Sequence, residues 1–216
     1  MKKDIVIENT IEFVKEKLQG DSSGHDWWHI YRVWNMSKKL QEKEGGDLFV
    51  IEMAALLHDV ADWKFYEDEK TGIKVVDDFL CGQNVDLNSK NQIIEIIKHV
   101  SFKGAGVKDQ MNSTEGKIVQ DADRLDAIGA LGIARTFAFG GKFGNEMHNP
   151  NEKAKLHNSF EEYKNSKGTT INHFYEKLLL LKDRLNTKTA RKIGEERHQF
   201  MEIFLKQFYD EWDNLK

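Results

Sequence analysis

A chain of 216 residues, 39% apolar and 31% charged, is long enough for one sizeable core and has the composition of a globular protein, not a disordered one. Its net charge of -4 and pI near 6.1 argue against a surface built to coat nucleic acid, which carries a concentrated basic surplus. A single cysteine, Cys81, excludes an internal disulfide; with no signal-peptide pattern and no apolar run of about 18 residues, the expectation is a cytoplasmic protein that does not meet a membrane.

The apolar spacing over residues 4–18 (Ile5, Ile7, Ile11, Phe13, Val14, Leu18) is that of a helix. A loop, Gly20 to Gly24, leads to a second helix over 26–44, with Trp28, Ile30, Val33, Trp34, Met36 and Leu40 as its expected buried side. After Gly45-Gly46-Asp47 comes a third helix, 48–59. The following Ala61-Asp62-Trp63-Lys64-Phe65-Tyr66 is too mixed for an element. Helices over 69–84 and 88–100 precede a basic loop, 101–112, expected to be flexible. Residues 113–139 form another apolar helical frame, 140–152 a glycine- and asparagine-rich loop around Pro150, and 153–165, 170–185 and 187–214 further helices. Strand-length β-branched runs alternating with helices are missing, so the expected fold class is all-α.

Chemistry-bearing residues fall on this frame in three places. Ala54 to Asp62 sets His58 and Asp59 at the end of an apolar helix, where burying a neutral polar group without a partner costs on the order of 2–7 kcal/mol and a charge more. A metal ion would compensate, since an imidazole and a neighbouring carboxylate can converge on one cation. Asp121-Ala122-Asp123-Arg124-Leu125-Asp126 carries more acid than a helix with a buried side needs for solvation, although Arg124 pairing with one acid is the plain alternative. His25-Asp26-Trp27-Trp28-His29 has the spacing of the zinc-protease pattern H-E-x-x-H, with aspartate in place of the glutamate that acts as base. The C-terminal runs Thr187–Arg191 and Glu195–His198 read as a solvated, charge-paired face without chemistry.

His29-Ile30-Tyr31-Arg32-Val33, then His58-Asp59, then Ala122-Asp123-Arg124-Leu125 together resemble the HD superfamily of metal-dependent phosphohydrolases, defined by the order H…HD…D. The resemblance covers about residues 24–130 and is closest to small stand-alone bacterial members that read H-D-W-x-H and D-A-D-R-L-D. It implies one HD domain over 1–216, a helical bundle whose motif-bearing core spans about 24–130 and whose helical extension spans about 131–216. It further implies His29, His58, Asp59 and Asp123 as ligands of one divalent metal ion, with spacing alone leaving Asp121 open as the fourth. Nitrogen and oxygen donors without thiolate suit Mn²⁺, Co²⁺, Ni²⁺, Fe²⁺, Zn²⁺ or Mg²⁺. Asp59 and Asp62 are the catalytic carboxylates on this reading, Asp62 standing where glutamate is more usual. His25 would orient His29, and Arg32, His99 and Lys103, with Arg124 and Lys64 behind them, would hold an anionic substrate. The implied activity is hydrolysis of a small phosphorylated molecule, a nucleotide first: pyrophosphohydrolysis of nucleoside triphosphates ahead of 5'-nucleotidase action. The alternatives are a non-catalytic metal- or nucleotide-sensing module and a di-iron oxygenase using Asp62 and His99 at a second metal. Neither nucleic acid nor a membrane is an expected partner, and a homodimer is left open.

Overall fold

The computed structural model describes residues 3–20, 24–61 and 69–215. Among them the fold is all-α: ten α-helices and no strand. In order these are α1 (Lys3–Lys17), α2 (Trp27–Glu44), α3 (Leu48–Leu57), α4 (Glu69–Gly82), α5 (Leu87–Val100), α6 (Thr114–Asp126), α7 (Gly129–Phe143), α8 (Phe160–Asn165), α9 (Thr170–Glu176) and α10 (Lys188–Trp212). Among the described residues no helix is long and apolar enough to cross a membrane. The chain forms two compact units, one comprising 1–102 and 108–123, the other 103–107 and 124–216, so the division falls within α6.

The first unit is built around α3. From Phe49 to Leu57 every residue except Glu52 is buried, and a helix apolar all round belongs inside. Helices α1, α2 and α5 pack on it, and α4 packs on α5. Its start is fixed by Asp47, whose Oδ1 accepts from the Phe49 and Val50 amides at 2.9 and 3.3 Å, satisfying donors that a helix N-terminus leaves open. The exposed side of this core differs from expectation in two places. On α1 the buried stripe is Val6, Thr10, Val14 and Leu18, whereas Ile5 is exposed; Thr10 is tolerated there because its hydroxyl donates to the Val6 carbonyl. On α2, Trp28 lies on the surface although its apolar character placed it inside.

In the second unit, Phe137 and Phe204 pack on the buried ring of Phe174, joining α7, α9 and α10. The single frame expected over 113–139 is broken at Gly129, whose φ of +76° lies where side chains are disfavoured; α7 then continues through Gly140 and Gly141 to Phe143. The helix expected over 153–165 forms only from Phe160. Upstream of it, the Lys155 amide donates to Glu176 and the Asn172 side chain to the Glu152 carbonyl, ties that hold an extended path. The helix expected over 170–185 ends at Glu176 and gives way to two short 3-10 turns. The loop expected to be flexible is fixed over 103–107: Arg184 donates to the carbonyls of Ala105 and Val107, and the Gly106 amide donates to His157. On α10 the supposedly solvated run turns partly inward, with Arg197 donating to the Leu125 carbonyl and His198 buried.

Candidate metal centre

Three elements of the first unit bring the centre together. Helix α3 ends at Leu57, and its last carbonyls need partners. His58 supplies one: its Nδ1 lies 2.7 Å from the Ala55 carbonyl oxygen. Only a protonated Nδ1 can donate to a carbonyl, so in the neutral ring the lone pair sits on Nε2, the tautomer a metal-binding histidine requires. The negative end of the α3 dipole lies at the same place and favours a cation.

Helix α2 supplies His29, 1% exposed. Asp26 caps this helix, its Oδ1 accepting from the His29 amide at 3.0 Å, which fixes the first turn and with it the imidazole. The two Nε2 atoms stand 3.3 Å apart. Asp59 adds a buried carboxylate: Oδ1 lies 3.4 Å from His58 Nε2 and Oδ2 3.3 Å from His29 Nε2, and Oδ2 has no partner in hydrogen-bond geometry. Burial alone would raise the Asp59 pKa, but in the metal-free centre the charge of the His58 and His29 rings, when protonated, outweighs it and holds the carboxyl well below its usual range. His29, His58 and Asp59 each offer a ligand atom, all within 4.8 Å of one another. A buried carboxylate oxygen without a hydrogen-bond partner, beside the ring nitrogens of two buried histidines, is what a divalent cation satisfies, so this group could hold a metal ion.

From α6, Asp123 Oδ1 reaches to 3.5 Å from His29 Nε2 and 3.9 Å from His58 Nε2, with its side chain 26% exposed. Asp121 is fully buried and, two residues back at about 100° per residue, points to nearly the opposite side of the helix.

The other named residues are placed differently. Arg32, on α2 three residues beyond His29, is half-buried and shares that side of the helix. His99, in the last turn of α5, pairs with Glu95 at 3.0 Å, and Lys103 lies over the Phe160 ring in the second unit. Arg124 does not present its charge to a substrate: it is 2% exposed and donates to the Arg184 carbonyl, a role as an internal tie. Asp62 and Lys64 lie outside the described residues. His25 precedes the α2 cap and meets His29 edge-on, with ring centroids 5.9 Å apart.

The zinc-protease reading does not survive this geometry, because Asp26 is the helix cap and His25 is not on the helix. Asp26→Ala is therefore expected to cost about 0.5–2 kcal/mol of stability and, by loosening the turn that carries His29, to reduce activity without abolishing it, a combination that thermal denaturation and steady-state kinetics would check. Complete inactivation with the fold intact would instead mark Asp26 as a base. Sequence reasoning missed the Ala55 carbonyl and the cap, although Asp three residues before His29 was a readable N-cap signal.

The HD domain family model matches residues 27–128, the stretch that carries all four of these groups. YpgQ of Bacillus subtilis, whose curated name describes it as uncharacterised, is 41% identical over 196 residues, covering 90% of this chain and 88% of its own; its crystal structure in complex with ADP matches with a TM-score of 0.75 over 95% of this chain and 97% of that one, at 36% identity. A protein from Lactobacillus plantarum matches with a TM-score of 0.90 at 36% identity, covering 99% of this chain and all of the other. An HD-superfamily hydrolase from Bacillus thuringiensis is 47% identical, with a TM-score of 0.75 over 98% and 99% of the two chains. The motif order, the convergence of its side chains and these likenesses along nearly the whole length agree, and the chain belongs to the HD superfamily.

Proposed function

We propose that this protein is a divalent-metal-dependent phosphohydrolase whose substrate is a nucleotide, with cleavage of nucleoside triphosphates to monophosphate and pyrophosphate as the leading reaction and 5'-nucleotidase action next. The observation that carries it is the buried cluster of two imidazoles and one carboxylate with Asp123 at its rim. Membership of a superfamily whose relatives include a named hydrolase supports hydrolysis, and the ADP bound to YpgQ supports a nucleotide.

On this reading His29 and His58 donate through Nε2, and Asp59 and Asp123 through carboxylate oxygens. When bound, a divalent ion neutralises phosphoryl charge and acidifies water. The protein's own part is positioning. The Ala55 carbonyl holds the His58 tautomer, the Asp26 cap fixes the turn that carries His29, and Arg32 offers a cation to phosphate oxygens on the same side of α2. His99 remains the candidate for the distal phosphates, and Asp62 for orienting the attacking water and taking its proton.

Metal-stripped protein given Mn²⁺, Mg²⁺, Co²⁺ or Ni²⁺ in turn, with nucleoside mono-, di- and triphosphates, tests this when orthophosphate and pyrophosphate are read separately. Pyrophosphate from triphosphates is the expected result, and orthophosphate from monophosphates would make the protein a nucleotidase. Tight metal binding with silence across the panel would overturn the catalytic reading in favour of a sensing module.

A further inference from the structure

We infer that Trp28 is a platform on which the base of the nucleotide stacks, an inference that rests on the nucleotide reading above. Exposure rises around α2 from its buried side to Trp28. With about 100° per residue, Ile30, Val33 and Ser37 form the fully buried side, and His29 at its edge is 1% exposed. The next position round is Arg32, half-buried, then Trp28 at 60% and Tyr31 at 43% exposed. The metal-ligand candidate, the cation and the indole thus follow one another from core to solvent on a single helix. A ligand with phosphates at His29 and Arg32 continues outward to Trp28.

The indole is also held in place. Its ring meets Tyr31 edge-on, at 5.9 Å between centroids and 81° between planes, and Tyr31 in turn meets Trp27 and Trp34. Trp34 is anchored by its Nε1 donating to Glu52 on α3 at 3.0 Å. A large aromatic surface fixed by a row of neighbours, left to solvent one residue from the metal centre, suits a flat, π-faced partner more than a flexible aliphatic one. Stacking is tolerant of base identity, so the platform selects nucleotides from other polyphosphates without distinguishing purines strongly from one another.

The test compares dissociation constants of ATP and of inorganic tripolyphosphate, which carries no base, for the metal-loaded wild type, Trp28→Ala and Trp28→Phe, alongside turnover of ATP. Trp28→Ala is expected to weaken ATP binding roughly tenfold relative to tripolyphosphate, and Trp28→Phe to restore most of the difference. An unchanged ATP-to-tripolyphosphate ratio in Trp28→Ala overturns the platform, as does a change confined to the oligomeric state on gel filtration, which would assign the indole to a protein contact. Failure of the wild type to bind ATP also overturns it. Wild type that binds ATP with the expected ratio but releases no product overturns the phosphohydrolase reading and leaves the platform standing.

Discussion

His58→Ala is expected to abolish metal retention and turnover together. The substitution removes a nitrogen donor and, with it, the Nδ1 tie to the Ala55 carbonyl that aims that donor. The deficit should exceed the about 10–100-fold that loss of a supporting contact to a metal ligand causes. A ligand that binds only the folded state stabilises it by about 2.7 kcal/mol at a concentration of 100 Kd, so saturating Mn²⁺ should raise the melting temperature of the wild type by roughly 5–10 °C and leave that of His58→Ala unmoved. Metal content after gel filtration, the melting shift and kcat/KM would be read on the same samples. Asp59→Ala should behave alike, whereas Asp123→Asn, at the exposed rim, should lose less metal. Full activity in His58→Ala or Asp59→Ala would remove the site assignment.

The centre was legible in the sequence because its signal is a local contradiction: a helix with no polar side that ends in a histidine and an aspartate. Burial of α3 follows from its composition, and the ligand candidates follow from the need to satisfy what it buries. Trp28 was not legible. Periodicity counts an indole as apolar and places it inside, while the buried side of α2 is formed by Ile30 and Val33, from which Trp28 lies well round the helix. Arg124 was misjudged for the converse reason: a charge next to a ligand motif suggests substrate, yet its guanidinium closes a helix-to-backbone tie to residue 184, sixty positions away in sequence. The lost first half of the helix at 153–165 and the fixed 103–107 segment share that cause. Glu176 and Arg184 capture backbone groups from distant stretches, and such tertiary hydrogen bonds override a local propensity worth only tenths of a kcal/mol per residue.

The sharpest structural prediction concerns a glycine that no motif marks. Gly72 is buried in α4, and a Cβ there would stand 2.5 Å from the Ala61 carbonyl oxygen and 2.9 Å from its carbonyl and α carbons. These are backbone atoms, which cannot swing aside as a side-chain tip can. Ala61 is 5% exposed and only two residues beyond Asp59, so any displacement of its backbone is passed to the turn that carries His58 and Asp59. Gly72→Ala is expected to cost about 1–3 kcal/mol through overpacking, lowering the melting temperature by roughly 2–4 °C per kcal/mol in a chain of this size. Activity should suffer more than stability, because a misplacement of about 1 Å in a reacting constellation can cost on the order of a hundredfold. Gly82→Ala, at the end of the same helix with nothing within 4 Å of its Cβ, is the control and should leave both quantities near wild type. If Gly72→Ala matches Gly82→Ala in melting temperature, metal affinity and kcat/KM, then α4 does not rest on the backbone beside the HD pair. A loss in Gly72→Ala alone would show that the geometry of the centre depends on that close approach.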